Sequence, residues 1–166
     1  MEISQTTILS KIASFMINCN NLWIKHSDGK ITKNAVKDIL INLDELPFYD
    51  WDIYSDFHYY RIYDGEVNKM GDYSTSRGCI NNCSYCFNKL LRKSYGMKHS
   101  LIRRYSVERI IDELVYLKEK YNITFIKFHD SDFLNKSNSY FDKFSSLYQK
   151  YVNLPNTVNG CVELLI

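Results

Sequence analysis

The stretch STSRGCINNCSYCFN, residues 74–88, holds three of the chain's five cysteines within eight positions, at 79, 83 and 86. Thiolates select soft metals, meaning zinc, copper or iron–sulfur clusters. The spacing is Cys79-x3-Cys83-x2-Cys86, with Gly78 directly before it. Structural zinc takes four ligands, often as two C-x2-C pairs or as one pair with two histidines. Here there is a single C-x2-C pair, and His99 would have to complete a three-cysteine site. A bacterial ferredoxin uses C-x2-C-x2-C with a later cysteine before proline, a pattern that neither the first gap nor Cys161 matches. Three thiolates on a [4Fe–4S] cluster leave one iron without a protein ligand. That iron is open to a substrate or cosubstrate, much as a catalytic zinc keeps an open position.

Around this stretch the composition is that of an ordinary globular domain: 166 residues, 45% hydrophobic and 24% charged, with 14 Tyr and 9 Phe for core or pocket walls. The length suits one domain and is short for two. A formal charge of +2, with one modest basic run from Lys89 to Arg104, gives no reason to expect nucleic acid as a partner. No apolar run reaches the roughly 18 residues of a membrane span, and the first residues lack the pattern of a secretory signal. The expected address is the cytoplasm, where cysteine clusters bind metal or do chemistry rather than form disulfides.

Residues 5–18 read as a short helix or a buried strand, and periodicity leaves both open. Residues 21–34 read as a hairpin turning at Asp28-Gly29, residues 43–54 as a linker wrapping over another element, and Asp64-Gly65 as a second turn. A strand is expected over 72–76, leading into the cysteines, where Asn81 and Asn82 would shape the loop. Ser106 is a good N-cap for a helix with Val107, Ile110, Ile111, Leu114 and Leu117 on one face. Residues 123–130 predict a strand that Asp130, Ser131 and Asp132 break. A second helix follows with Phe141, Phe144, Leu147, Tyr148 and Tyr151, ending before Pro155, and a third strand and the start of another element are expected in NTVNGCVELLI, 156–166. Strand alternating with helix is the mark of a parallel α/β sheet. His129 reads as a pocket or core residue, and Cys19 and Cys161 as small buried or half-buried side chains.

The segment RGCINNCSYCFN, 77–88, resembles the cluster-binding loop of the radical S-adenosylmethionine (SAM) superfamily, whose C-x3-C-x2-C carries an aromatic before the third cysteine, here Tyr85. Together with LDELPFYDWDIY, 43–54, and YSVERIIDELVYLKEKYNITFIKFHDSDF, 105–133, it makes the chain similar over roughly residues 20–160 to the subgroup often fused to an N-terminal cobalamin-binding domain. The resemblance implies the N-terminal part of a partial (β/α) TIM barrel, incomplete in this chain and preceded by a small mixed, β-containing region. Residues 1–70 would be the linker or hairpin region, and 71–166 the first part of the radical core. It implies a [4Fe–4S] cluster on Cys79, Cys83 and Cys86, whose open iron binds SAM for reductive cleavage to a 5′-deoxyadenosyl radical. Tyr85 would lie near the adenine, Asp130 or Asp132 would face the SAM ammonium through a charge-assisted bond, and Arg77 would face a carboxylate or the cluster edge. The implied partners are a reductant such as flavodoxin or ferredoxin, a substrate of unknown class, and a B12-binding domain or partner chain. Cobalamin would come only from there, because no D-x-H-x-x-G stretch occurs here. Half a barrel leaves strand edges exposed, so catalysis, with methyl transfer as one outcome, is expected of a longer parent. The alternatives are an iron–sulfur electron-transfer module that does not cleave SAM and a domain stabilised by zinc on the three cysteines and His99.

Overall fold

The computed structural model describes residues 19–35, 39–96 and 102–160; the expectations for residues 5–18, for His99 and for Cys161 lie outside these. Contacts divide the chain after Leu40 into two units. In the first, β1 (Trp23–Lys25) and β2 (Ile31–Lys33) form the expected antiparallel hairpin, with Trp23 opposite Lys33. The Asp28 carboxylate accepts the Lys30 backbone N–H at 2.9 Å and closes the turn. The Lys33 ammonium lies 4.4 Å from the Trp23 ring centre. Cys19 is half-buried, as expected.

The second unit starts with short 3-10 turns at Leu43–Glu45, Trp51–Ile53 and Asp56–Tyr59. There follow β3 (Tyr60–Tyr63), β4 (Glu66–Tyr73), β5 (Ser76–Arg77), α1 (Asn88–Ser94), β6 (Arg103–Arg104), α2 (Val107–Tyr121), β7 (Phe125–Phe128), α3 (Asn138–Leu147) and β8 (Asn156–Thr157). Strands β4, β7 and β8 run parallel, each joined to the next through a helix, and β3 pairs antiparallel on the outer edge of β4. The β3–β4 turn is the two-residue Asp64-Gly65 pair, both at positive φ, an arrangement that matches the twist of the flanking strands. The arrangement is a partial β/α one, and the described strands form an open sheet. The strand expected over 72–76 ends at Tyr73 instead, because Thr75 and Ser76 leave the sheet to bond Asp130.

Helix α2 forms where its sequence directs. Ser106 caps it by accepting the Arg109 N–H at 3.2 Å, and Asn122 ends it in the left-handed region. Val107, Ile110, Ile111, Leu114 and Leu117 are all buried. A Cβ on Gly71 would make ordinary contact with Ile126 and Leu117 at 3.4 and 3.6 Å but would meet Ile123 at 3.3 Å, so a side chain there would push Ile123 by a few tenths of an ångström. In the second helical run Phe144 and Tyr148 are buried, whereas Tyr151 is 49% exposed. A π-helical turn over Tyr148–Val152 widens the spiral. It carries Tyr151 off the apolar stripe and puts Val152 in its place, fully buried.

The 43–54 segment does wrap. Leu43 and Trp51 are buried, and the Tyr49 backbone N–H donates to the Glu113 carboxylate at 2.6 Å. Arg109 donates to the Leu46 carbonyl at 2.9 Å, and its guanidinium lies 4.2 Å from the Phe48 ring centre.

Candidate functional site

The cysteine loop runs from β5 to α1, beyond the carboxyl end of β4. Gly78 opens it at φ +99°, a backbone setting that a side chain would strain. Asn81 and Asn82 keep ordinary backbone angles. They shape the loop through their oxygens, which accept bonds from Arg92, rather than through left-handed backbone. Cys79 is buried, Cys86 half-buried and Cys83 exposed. The Asn81 N–H donates to Cys79 Sγ and the Asn88 side-chain amide to Cys86 Sγ, each at 3.4 Å, and the Cys86 N–H closes a turn onto the Cys83 carbonyl at 3.1 Å. Hydrogen bonds to sulfur are among the features that tune iron–sulfur sites. Among the described residues no three Cys, His, Asp or Glu side chains gather around a single ion position.

Asp130, at the end of β7, ties down the entrance to this loop. One carboxylate oxygen accepts the Thr75 N–H at 2.9 Å; the other accepts the Thr75 hydroxyl at 2.6 Å and the Ser76 hydroxyl. The Lys136 ammonium stands 3.6 Å away, and both side chains are essentially sealed from solvent. Lys136 also donates to the Phe133 carbonyl at 2.7 Å and lies 3.9 Å from the Phe133 ring centre. Burial pulls Lys136 down to about 8, against the opposing pull of Asp130.

That depression has a sign. Between about pH 8 and 10 the folded protein has released the Lys136 proton while the unfolded chain keeps it, so stability rises with pH by up to about 1.4 kcal/mol per unit. Above about pH 10 the trend reverses. Burial pushes Tyr105, Tyr140 and Tyr148 up to about 12, so only the unfolded tyrosines ionise there. Urea midpoints measured from pH 7 to 11 should therefore pass through a maximum near pH 10, and Lys136→Met should abolish the rising limb.

The other expected site residues are dispersed. Tyr85 is 92% exposed. Arg77 is exposed on β5 and meets the Tyr49 hydroxyl. Asp132 is buried at 6% exposure, two residues beyond Asp130.

A cavity of about 620 Å³ opens at the same end of the parallel strands, lined by Trp51, Tyr54, His58, Arg61, Asp72 and His129 among others. Side chains alternate along a strand, so Asp72 and His129 point away from the face covered by α2. Arg61, on β3, grips Asp72 with both guanidinium nitrogens, and His129 Nε2 bonds Asp72 at 2.6 Å. Burial alone would raise the Asp72 carboxyl, but the bonds from Arg61 and His129 outweigh it and hold the group below the usual aspartate range. His129 lines this cavity, within the pocket-or-core expectation. Arg61 and Asp72 were not legible as a pair, because a hairpin brings them together.

No protein-family model matches the chain. Over 110 residues it is 34% identical to an uncharacterized methyltransferase, PH0819, of Pyrococcus horikoshii, which covers 66% of this chain and 22% of that protein. Over 118 residues it is 30% identical to the cytidylyl-2-hydroxyethylphosphonate methyltransferase of Streptomyces wedmorensis, which covers 68% of this chain and 21% of the relative. The chain thus spans about a fifth of the length of these relatives. Among solved structures it is similar to the cobalamin-dependent SAM radical enzyme OxsB. The form with aqua-cobalamin and SAM bound superposes with a TM-score of 0.53 at 19% identity, over 87% of this chain and 20% of that one. The apo form gives 0.54 at 16% identity, over 93% and 21%. The chain shares the fold of part of that enzyme. No described helix is long and apolar enough to cross a membrane.

Proposed function

We propose that this chain carries the cluster-binding part of a radical SAM enzyme. One observation carries the reading. The C-x3-C-x2-C stretch follows β5, a few residues beyond the carboxyl end of β4, the first strand of the parallel set, and Asp72, Tyr73 and Ser74 at that same strand end line the cavity; this end is where parallel α/β folds place their chemistry. Cys79, Cys83 and Cys86 are the donors for a [4Fe–4S] cluster, one thiolate to an iron, so they need not converge on a single ion. Their soft sulfur chemistry and the N–H donors facing Cys79 and Cys86 fit that group. When cluster and SAM are bound, the chemistry supplied is reductive cleavage to a 5′-deoxyadenosyl radical, with electrons from a carrier such as flavodoxin or ferredoxin.

The chain's own residues bind and orient. Asp130 holds the loop entrance through Thr75 and Ser76, and Asp130 or Asp132, both at the end of β7, would face the methionyl ammonium. Tyr85 offers an exposed ring to the adenine, and Arg77 a cation to the loop edge. Two relatives named as methyltransferases and a cobalamin-dependent structural neighbour support methyl transfer as the reaction class, with cobalamin supplied by another domain or a partner chain.

The test is anaerobic reconstitution with iron and sulfide, then EPR of the dithionite-reduced protein with and without SAM. The expected result is a [4Fe–4S]+ signal whose shape changes when SAM is added. A signal indifferent to SAM, or no cluster at all, overturns the reading.

A further inference from the structure

All three residues that separate Cys79 from Cys83 give an oxygen to one side chain. Arg92, on α1, donates from Nη1 to the Ile80 carbonyl at 3.1 Å and from Nη2 to the Asn81 carbonyl at 3.1 Å, and Nη2 also bonds the Asn82 side-chain oxygen. These bonds reach back 10–12 residues, so the ring they close contains both Cys83 and Cys86. A guanidinium is a flat, rigid fork of five donors. Three acceptors from consecutive residues, met by one such fork, fix the curvature of that segment.

Among the described residues, few other contacts hold the loop to its helix. None of the α1 residues is buried, so no core packing anchors it. Among the described residues, the other bonds here are the two N–H to sulfur contacts at 3.4 Å, the Cys83–Cys86 turn and the Leu91 N–H on the Phe87 carbonyl at 3.0 Å. Arg92 itself is half-buried against the loop.

The geometry points to Arg92 as a positioning residue that holds the cysteine loop in its ligating shape before any cluster is bound and sets a fixed positive charge beside the site. The inference rests on the cluster reading above. Three thiolates make the loaded site net negative, and more so once reduced. A neighbouring guanidinium therefore favours the reduced state, and its removal drives the midpoint potential more negative.

Two variants of the full chain separate shape from charge. Arg92→Gln removes both, and Arg92→Lys keeps the charge but not the fork. Amide hydrogen exchange is read on the apo protein at residues 79–88, with α2 as the control, and the midpoint potential is read after anaerobic reconstitution with iron and sulfide. The expected result for Arg92→Gln is exchange at 79–88 faster by about tenfold or more, α2 unchanged, and a more negative potential. Arg92→Lys should return the potential toward wild type while exchange stays fast. Exchange at 79–88 equal to wild type in Arg92→Gln overturns the inference, as does acceleration spread equally over α2. If wild type takes up no cluster, the cluster reading fails while apo exchange still decides the role of Arg92. If wild type takes up a SAM-responsive cluster and Arg92→Gln leaves both exchange and potential unmoved, the cluster reading stands and this inference falls.

Discussion

Asp130→Ala should destabilise the protein by about 3–5 kcal/mol, the cost of removing one partner from a buried charged pair. The carboxylate satisfies the Thr75 N–H, the Thr75 and Ser76 hydroxyls and the Lys136 ammonium at once. Alanine leaves three buried donors without their acceptor and strips the sealed-in Lys136 ammonium of its carboxylate, leaving it the Phe133 carbonyl. A loss of that size is a large fraction of a typical domain's stability, so urea denaturation would show a transition shifted far down or absent. Lys136 limits the damage in a measurable way. Without the Asp130 carboxylate, burial and the Arg104 charge are opposed by Asp132 alone, and Lys136 sheds its proton at lower pH. The rise in stability that starts near pH 8 in the wild type should therefore start lower in Asp130→Ala. Asp130→Asn keeps one acceptor and the side-chain volume and should cost about 1–3 kcal/mol. An Asp130→Ala protein as stable as wild type would show that the carboxylate does not hold the loop entrance.

Which parts of this architecture could be read in the sequence follows from how far apart the interacting residues lie. The α2 stripe, its Ser106 cap and both hairpin turns depend on neighbours within a few positions, and each forms where the pattern directs. The cysteine spacing is local too, and it carried the functional reading by itself. Asp130 stood out as a strand-ending acid, yet its partners Thr75 and Ser76 lie 54–55 residues away. Nothing local distinguishes a carboxylate that binds a ligand from one that ties two strand ends together. Tyr151 was misplaced for a different reason. The periodicity argument assumes 3.6 residues per turn, and the π turn over Tyr148–Val152 breaks that assumption. Arg92 folds back 10–12 residues onto the Ile80-Asn81-Asn82 segment, and within the basic run from Lys89 to Arg104 nothing local singles it out from its neighbours Lys89 and Lys93.

Glu113 left a signal in the sequence that the apolar stripe masks. It sits three residues after Ile110 and four before Leu117, on the face that packs inward, and it is fully buried. One oxygen accepts the Tyr49 N–H at 2.6 Å. The other accepts the Tyr73 hydroxyl at 3.1 Å and both Nε and Nη2 of Arg109 at 3.3 Å. Burial together with the Glu113 charge pushes the Tyr73 hydroxyl far above the ordinary tyrosine range, so it remains a protonated donor throughout the working pH range. This one carboxylate thus joins α2, the last residue of β4 and the 43–54 segment that walls the cavity. Glu113→Ala should cost about 3–5 kcal/mol, because it strands a backbone N–H, a buried hydroxyl and a guanidinium that is itself only 14% exposed. Glu113→Gln keeps the shape but offers a donor where three acceptor contacts are required on one oxygen, and should cost about 1–3 kcal/mol. Hydrogen exchange should locate the effect. Amides from 46 to 54 should lose protection in Glu113→Gln ahead of those in β7, because Tyr49 is tied down through this carboxylate while β7 is held by β4 and β8 on either side. Equal protection in both regions would mean that Leu43 and Trp51 alone keep the segment in place, and that the cavity wall does not depend on Glu113.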